Sequence, residues 1–151
     1  MVITLNETEQ RLVKHLAERR YQYCRTVRAQ ATRYHEQAAL EAEVDAIGAE
    51  IAYCKVMNCY PDLEHTQFNP DDMLRRDGQT IDVKQTHYPN GKLLVKVKER
   101  EQLPDQYALM VGRFPAYRLA GHIAASEMIR EERIDHSLPV PAYAAGQAEL
   151  R

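Results

Sequence analysis

The stretch from Asp72 to Lys98 constrains this chain more than any other. It runs Asp-Met-Leu-Arg-Arg-Asp-Gly-Gln-Thr-Ile-Asp-Val-Lys-Gln-Thr, passes a Pro-Asn-Gly turn, and ends Leu-Leu-Val-Lys-Val-Lys. Short apolar alternations between turn signals read as three strands joined by two tight turns. In the middle strand Asp82 and Lys84 are two residues apart, so their side chains share a face. By itself an acid-x-lysine triplet is expected about once by chance in roughly 150 residues of ordinary composition. The setting gives it weight: Asp72 opens the preceding strand, and Glu50 lies on a helix just upstream.

Register sharpens the point. Arg76-Asp77-Gly78 suits a three-residue hairpin loop with Gly78 left-handed. Arg75 then faces Gln79, Leu74 faces Thr80, Met73 faces Ile81, and Asp72 faces Asp82. Two opposed carboxylates destabilise a sheet unless something neutralises them, and a divalent cation is the obvious candidate. A two-residue loop at Arg76-Asp77 would bring Asp71 opposite Asp82 instead. The preferred count turns Ile81 and Val83 towards the core with Met73. It also leaves Thr86 on the acidic face, and Gln85 and His87 on the other, so His87 stays outside the site. In the third strand Leu93, Val95 and Val97 form an apolar face. Lys96 and Lys98 could reach a phosphate backbone, or act as edge charges that discourage aggregation.

Upstream, Asn6 and Glu9 have the spacing of a capping box. No Gly or Pro interrupts the chain from Glu7 to about Tyr34, and Leu12, Leu16, Tyr23 and Val27 fall on one helical face. The pattern predicts one long helix, or two with a break near Arg28 to Glu36. Arg11, Lys14, Arg19, Arg20, Arg25, Arg28 and Arg33 face Glu18 alone, with tyrosines between them. That face could track phosphates, could simply be solvated, or could pair with a second copy. A second helix is predicted from Gln37 to Asn58, with a core seam at Leu40, Val44, Ile47, Ile51 and Cys54. Glu50 flanks that seam, and its small neighbours Gly48, Ala49 and Ala52 let the helix approach a sheet closely. The loop from Asn58 to Asp71 contains Cys59 and His65. With Cys54 these fall short of a zinc set, which needs a fourth ligand and tighter spacing.

Composition bounds the rest. A length of 151 residues suits one domain, with a core large enough to need no disulfide or structural metal. The net charge of −2 does not itself announce a nucleic-acid partner. No apolar run approaches the ~20 residues of a membrane span, and no signal pattern opens the chain. Three cysteines fit a reducing compartment, so the expectation is cytoplasmic. Gln106–Gly112 reads as a buried strand, Tyr117–Ile123 as another, and Ala124–Glu132 as a short helix. From His136 onward the chain is rich in Pro and Ala without periodicity, which predicts a flexible or loosely docked tail.

These pieces resemble the PD-(D/E)xK nuclease superfamily, in its small phage and bacterial forms, over about Gly48 to Ile129. The carrying residues are Glu50, Asp72 and Asp82-Val83-Lys84, with the later Tyr-Arg-Leu-Ala-Gly-His-Ile run. The family's Pro-Asp would correspond to Pro70-Asp71, whereas the register favours Asp72. The resemblance implies an α/β (α+β) fold with a restriction-endonuclease-like central mixed sheet. The expected layout is an N-terminal helical extension over 1–36, a nuclease-like core over 37–135 and the tail over 136–151. It implies Mg²⁺ or Mn²⁺ held by Glu50, Asp72, Asp82 and the Val83 carbonyl, with Lys84 acting on the attacking water. The implied activity is phosphodiester hydrolysis in nucleic acid, DNA for preference. A homodimer through the N-terminal helix is a natural assembly for cutting both strands. Two alternatives stand beside it: a nuclease fold that binds without cutting, and an interaction protein built on the long helix. One difficulty is visible in the sequence. Only Glu99–Asp105 separates the third strand from the next, whereas a parallel crossover usually needs about a dozen residues or more. Either the family's helix is reduced to a turn, or the sheet order differs at its far edge.

Overall fold

Asn6 opens the first helix as its side chain predicts. Its carboxamide accepts from the Glu9 N–H (2.9 Å), and its own N–H donates to the Glu9 carboxylate (2.6 Å). The computed structural model describes residues 1–27, 36–64, 74–98 and 102–151. Helix α1 spans Glu7–Val27 and helix α2 spans Glu36–Met57. The break expected between them falls outside the described residues. The two helices pack antiparallel, tied by Lys55–Glu9 (2.8 Å) at one end and Arg20–Glu43 (3.0 Å) at the other. Val13, Leu16 and Ala17 of α1 are buried with Ile47, Ile51 and Cys54 of α2. The first helix is therefore part of the core rather than an extension. Its apolar stripe is consumed within one chain, so a dimer through α1 would have to use its outer face.

The main sheet has the order β1-β6-β5-β3-β2. Its strands are β1 (Ile3–Thr4), β2 (Leu74–Arg76), β3 (Gln79–Thr86), β5 (Gln106–Arg113) and β6 (Ala116–Ala124). All neighbours are antiparallel except β3 and β5, which run parallel. Strand β4 (Leu93–Lys96) does not extend this sheet as its sequence position suggested. It joins β7 (Ile134–Asp135) and β8 (Ala142–Ala145) in a second, antiparallel sheet of order β4-β8-β7. The crossover difficulty is resolved by that departure. The whole of residues 87–105 connects the parallel strands, with β4 as its middle section. Where the crossover lands it is pinned: the Thr80 N–H donates to the Asp105 carboxylate (2.7 Å), and the Asp105 N–H donates to the Thr80 carbonyl (3.0 Å).

Three layers result. On one face of the main sheet Ile81, Ala108, Met110 and Tyr117 pack against α1 and α2. On the other face Tyr107, Leu109, Val111 and Ile123 pack with Leu93 and Val95 of β4, Ala145 of β8 and Met128 of helix α3 (Ala125–Met128). Residues from 136 onward are thus no loose tail. Strand β8 pairs with β4 over Leu93↔Ala145 to Lys96↔Ala142. Beyond it Gln147 donates to the carbonyls of Pro89 (2.9 Å) and Gly91 (2.9 Å). The chain then ends beside β6, where Arg151 and His122 exchange backbone hydrogen bonds of 2.9 and 2.8 Å. Alanine-rich composition hid this strand, because small side chains carry little β signal yet fit a narrow gap between layers.

Candidate active site

The hairpin that presents the site closes through Asp77-Gly78, both with positive φ (51° and 80°). That is a two-residue type I′ turn. Arg76 pairs with Gln79, Arg75 with Thr80 and Leu74 with Ile81. The expected three-residue loop is therefore out of register by one residue, and the alternative loop at Arg76-Asp77 by two. Those slips remove the argument that set Asp72, or Asp71, opposite Asp82. Asp71 and Asp72 themselves lie outside the described residues.

Asp82 and Lys84 sit on β3 opposite Tyr107 and Leu109 of β5. Both face the side of the main sheet that carries the second sheet. The Lys84 ammonium hydrogen-bonds the Asp82 carboxylate at 2.8 Å and lies 6.0 Å from the centre of the Tyr107 ring. Both side chains keep some exposure, 22% for Asp82 and 31% for Lys84, so solvent reaches the pair. Ile81 and Val83 turn the other way, into the core beneath the helices, as the alternation predicts. Val83 thus contributes its backbone to this strand and its side chain to packing.

Glu50 comes from α2, on the opposite layer. Arg20 of α1 stands 3.6 Å from its carboxylate and also holds Glu43. Burial raises the Glu50 pKa to about 7. Arg20 opposes the rise, and the charges of Asp82, Asp62 and Glu43 add to it. Glu50 and Asp82 therefore feel one another although they start from different layers. Among the described residues β3 pairs beyond Ile81 only with β5, so no described strand covers its outer edge there.

Among the described residues the charges of Asp82, Asp62 and Glu43 reach Glu50 together with that of Arg20, and Lys84 pairs with Asp82. One Asp62 carboxylate oxygen is buried with no hydrogen-bond partner among the described residues. Carboxylate oxygens are the hard donors that Mg²⁺ and Mn²⁺ take, so the donor types fit. As arranged, no three His, Cys, Asp or Glu side chains among the described residues are grouped closely enough to hold a metal ion. The structure brings Asp82 and Lys84 together, sets Glu50 within reach of the Asp82 charge, and among the described residues does not gather the acids around one point.

Some of the neighbours were not foreseen. Arg20 belonged to the basic run, yet it is turned inward onto two acids. Asp62 lay in a stretch read only as a loop. Behind Glu50, the Tyr53 hydroxyl meets His122 Nε2 at 2.9 Å. Burial raises the Tyr53 pKa to about 12, and burial also lowers that of His122. His122 borders an open pocket of about 310 Å³, lined also by Arg76, Gln79, Gln106 and Arg151. A tyrosine on the inner face of a helix needs a hydroxyl partner, and that need was the available sequence signal. No protein-family model, curated protein or solved structure matches this chain.

Proposed function

We propose that this chain is a metal-dependent phosphodiester hydrolase of the PD-(D/E)xK kind, acting on nucleic acid and preferentially on DNA. The observation that carries the reading is the solvent-reached Asp82–Lys84 pair on β3, with the Glu50 carboxyl, its pKa raised by burial, within reach of the Asp82 charge. As the resemblance implies, Glu50, Asp82, the Val83 carbonyl and Asp72 would hold Mg²⁺ or Mn²⁺ once the acids, which are not grouped among the described residues, close around the ion; when bound it neutralises phosphate charge and makes a water more acidic. Lys84 would donate hydrogen bonds to the attacking water and to the phosphate oxygens as negative charge grows on them. Asp82 would keep the ammonium aimed, since the two groups are already in contact. Tyr107 lies beside the pair, with its ring centre 6.0 Å from the ammonium. Arg11, Lys14 and Arg19 are exposed on α1 and supply a positive surface for the phosphate backbone.

The test is cleavage of plasmid and of single-stranded oligonucleotides with Mg²⁺, with Mn²⁺ and with chelator. Asp82→Ala and Lys84→Ala should each lower the rate by at least about a hundredfold, with far-UV circular dichroism unchanged. Chelator-resistant cutting, or cutting that survives both substitutions, would remove the proposal. A second reading is a nuclease fold that grips nucleic acid without cutting it, through the exposed Arg11, Lys14 and Arg19 of α1. It is distinguished by salt-sensitive binding with no cleavage under any metal.

A further inference from the structure

Helix α2 ends in a motif that sets two cysteines side by side. Asn58 takes a left-handed conformation (φ 52°), and the Cys59 N–H donates back to the Cys54 carbonyl at 3.0 Å. This six-to-one hydrogen bond past a left-handed residue is the Schellman stop signal. It brings the side chain of the residue after the turn against that of the last helical turn, in most helices as an apolar contact. Here both positions are cysteine. The proximity is felt at Cys54, whose pKa burial raises and the neighbouring Cys59 thiol raises further. Both are free thiols, Cys54 buried and Cys59 half-buried.

We propose that Cys54 and Cys59 form a reactive dithiol that closes to a disulfide by exchange with a small-molecule disulfide such as oxidised glutathione. This proposal does not depend on the hydrolase reading. The more accessible Cys59 thiolate attacks one glutathione sulfur. A sulfur–sulfur bond forms to Cys59, the glutathione disulfide breaks, and one glutathione thiolate leaves. Cys54 then gives up its proton and attacks the Cys59 sulfur, expelling the second glutathione. Two protein thiols are oxidised and one glutathione disulfide is reduced to two thiols. The order follows from access: burial raises the Cys54 pKa and shields its sulfur, whereas Cys59 meets solvent. The hydrogen-bonded stop motif holds the backbone of both residues in place, so closure needs side-chain rotation rather than unwinding of the helix. The bond would lock the end of the helix that carries Glu50 and Tyr53.

Lys55 makes the test direct. Trypsin cuts after it, placing Cys54 in peptide 34–55 and Cys59 in peptide 56–75, with Cys24 apart in peptide 21–25. The folded chain is incubated with oxidised glutathione, remaining thiols are alkylated in denaturant, and the digest is read by mass spectrometry. The expected result is peptide 34–55 joined to 56–75 with the loss of two hydrogens. This species should exceed glutathione adducts on Cys54 and Cys59 by at least about tenfold, as the effective concentration of neighbouring thiols dictates. Glutathione adducts in excess, links to Cys24 in equal amount, or both thiols unmodified would each overturn the proposal. Repeating the oxidation in denaturant should abolish the preference, because there Cys54 and Cys59 lose their fixed approach.

Discussion

At Glu50 the fold works against ionisation. Burial, reinforced by three neighbouring acids, outweighs the attraction of Arg20, so the folded chain holds a proton there up to about pH 7. The unfolded chain releases it near the ordinary glutamate range. Between those values the native state binds more protons than the unfolded state. Stability therefore falls as pH rises from about 4.5 to about 7 and then levels, by on the order of 3 kcal/mol from this group. In chelator, Glu50→Gln should flatten that slope and make the protein more stable than the parent at pH 8, measured by urea unfolding at pH 5 and pH 8. A variant as pH-dependent as the parent would show that the acid sits in an ordinary solvated environment. If a divalent cation binds these carboxylates, Mg²⁺ should raise the melting temperature more at pH 8 than at pH 5, and less so in Asp82→Ala.

At the scale of the element, α2 packs tightly on the main sheet at Gly48. A methyl group there would come within 2.3 Å of the Tyr117 hydroxyl. That ring is buried, and its hydroxyl donates to the Asp45 carbonyl at 3.1 Å, so it has little room to yield. Gly48→Ala gains helix propensity of about 1 kcal/mol, yet overpacking of a buried ring costs about 1–3 kcal/mol. The expected outcome is a net loss of stability, read from the urea midpoint. The same contact shows what was legible in advance. Gly48 and its small neighbours announced a close helix approach, and Asn6 with Glu9 announced the helix start, because both signals are local. The hairpin register is less legible. Asp77-Gly78 takes positive φ at both positions, so Arg76 pairs with Gln79 rather than standing in the loop. Period-two alternation in Leu93–Lys96 correctly marked a strand with one buried face. It carries no information about which sheet that strand joins, and so the second sheet went unread. In the candidate site, the Asp82–Lys84 contact follows from strand geometry alone. The inward turn of Arg20 and the approach of Asp62 depend on tertiary packing that no spacing rule contains.

Across the whole molecule, the second sheet closes over one face of the first and buries Leu93, Val95, Tyr107 and Leu109. Deleting residues 136–151 would uncover that layer and leave β4 without its partner. The expected loss is at least about 3 kcal/mol of unfolding free energy, by analogy with removal of several buried apolar side chains. Increased binding of a hydrophobic dye should accompany it. A truncated chain as stable as the full one would show that the layer contributes little. No helix among the described residues is long and apolar enough to cross a membrane.

The pairing of β1 with β6 joins Ile3 and Thr4 to Tyr117 and Ala116, from opposite ends of the sequence. A ribosome making this chain delivers the first of those strands long before the second exists. The same delay holds for β4, whose partner β8 lies far downstream. Closure of both sheets must therefore await synthesis through Ala145. A pause in translation before Tyr117 should leave an emerging intermediate in which β5 has no β6 beside it and the apolar face of α1 and α2 is covered only in part.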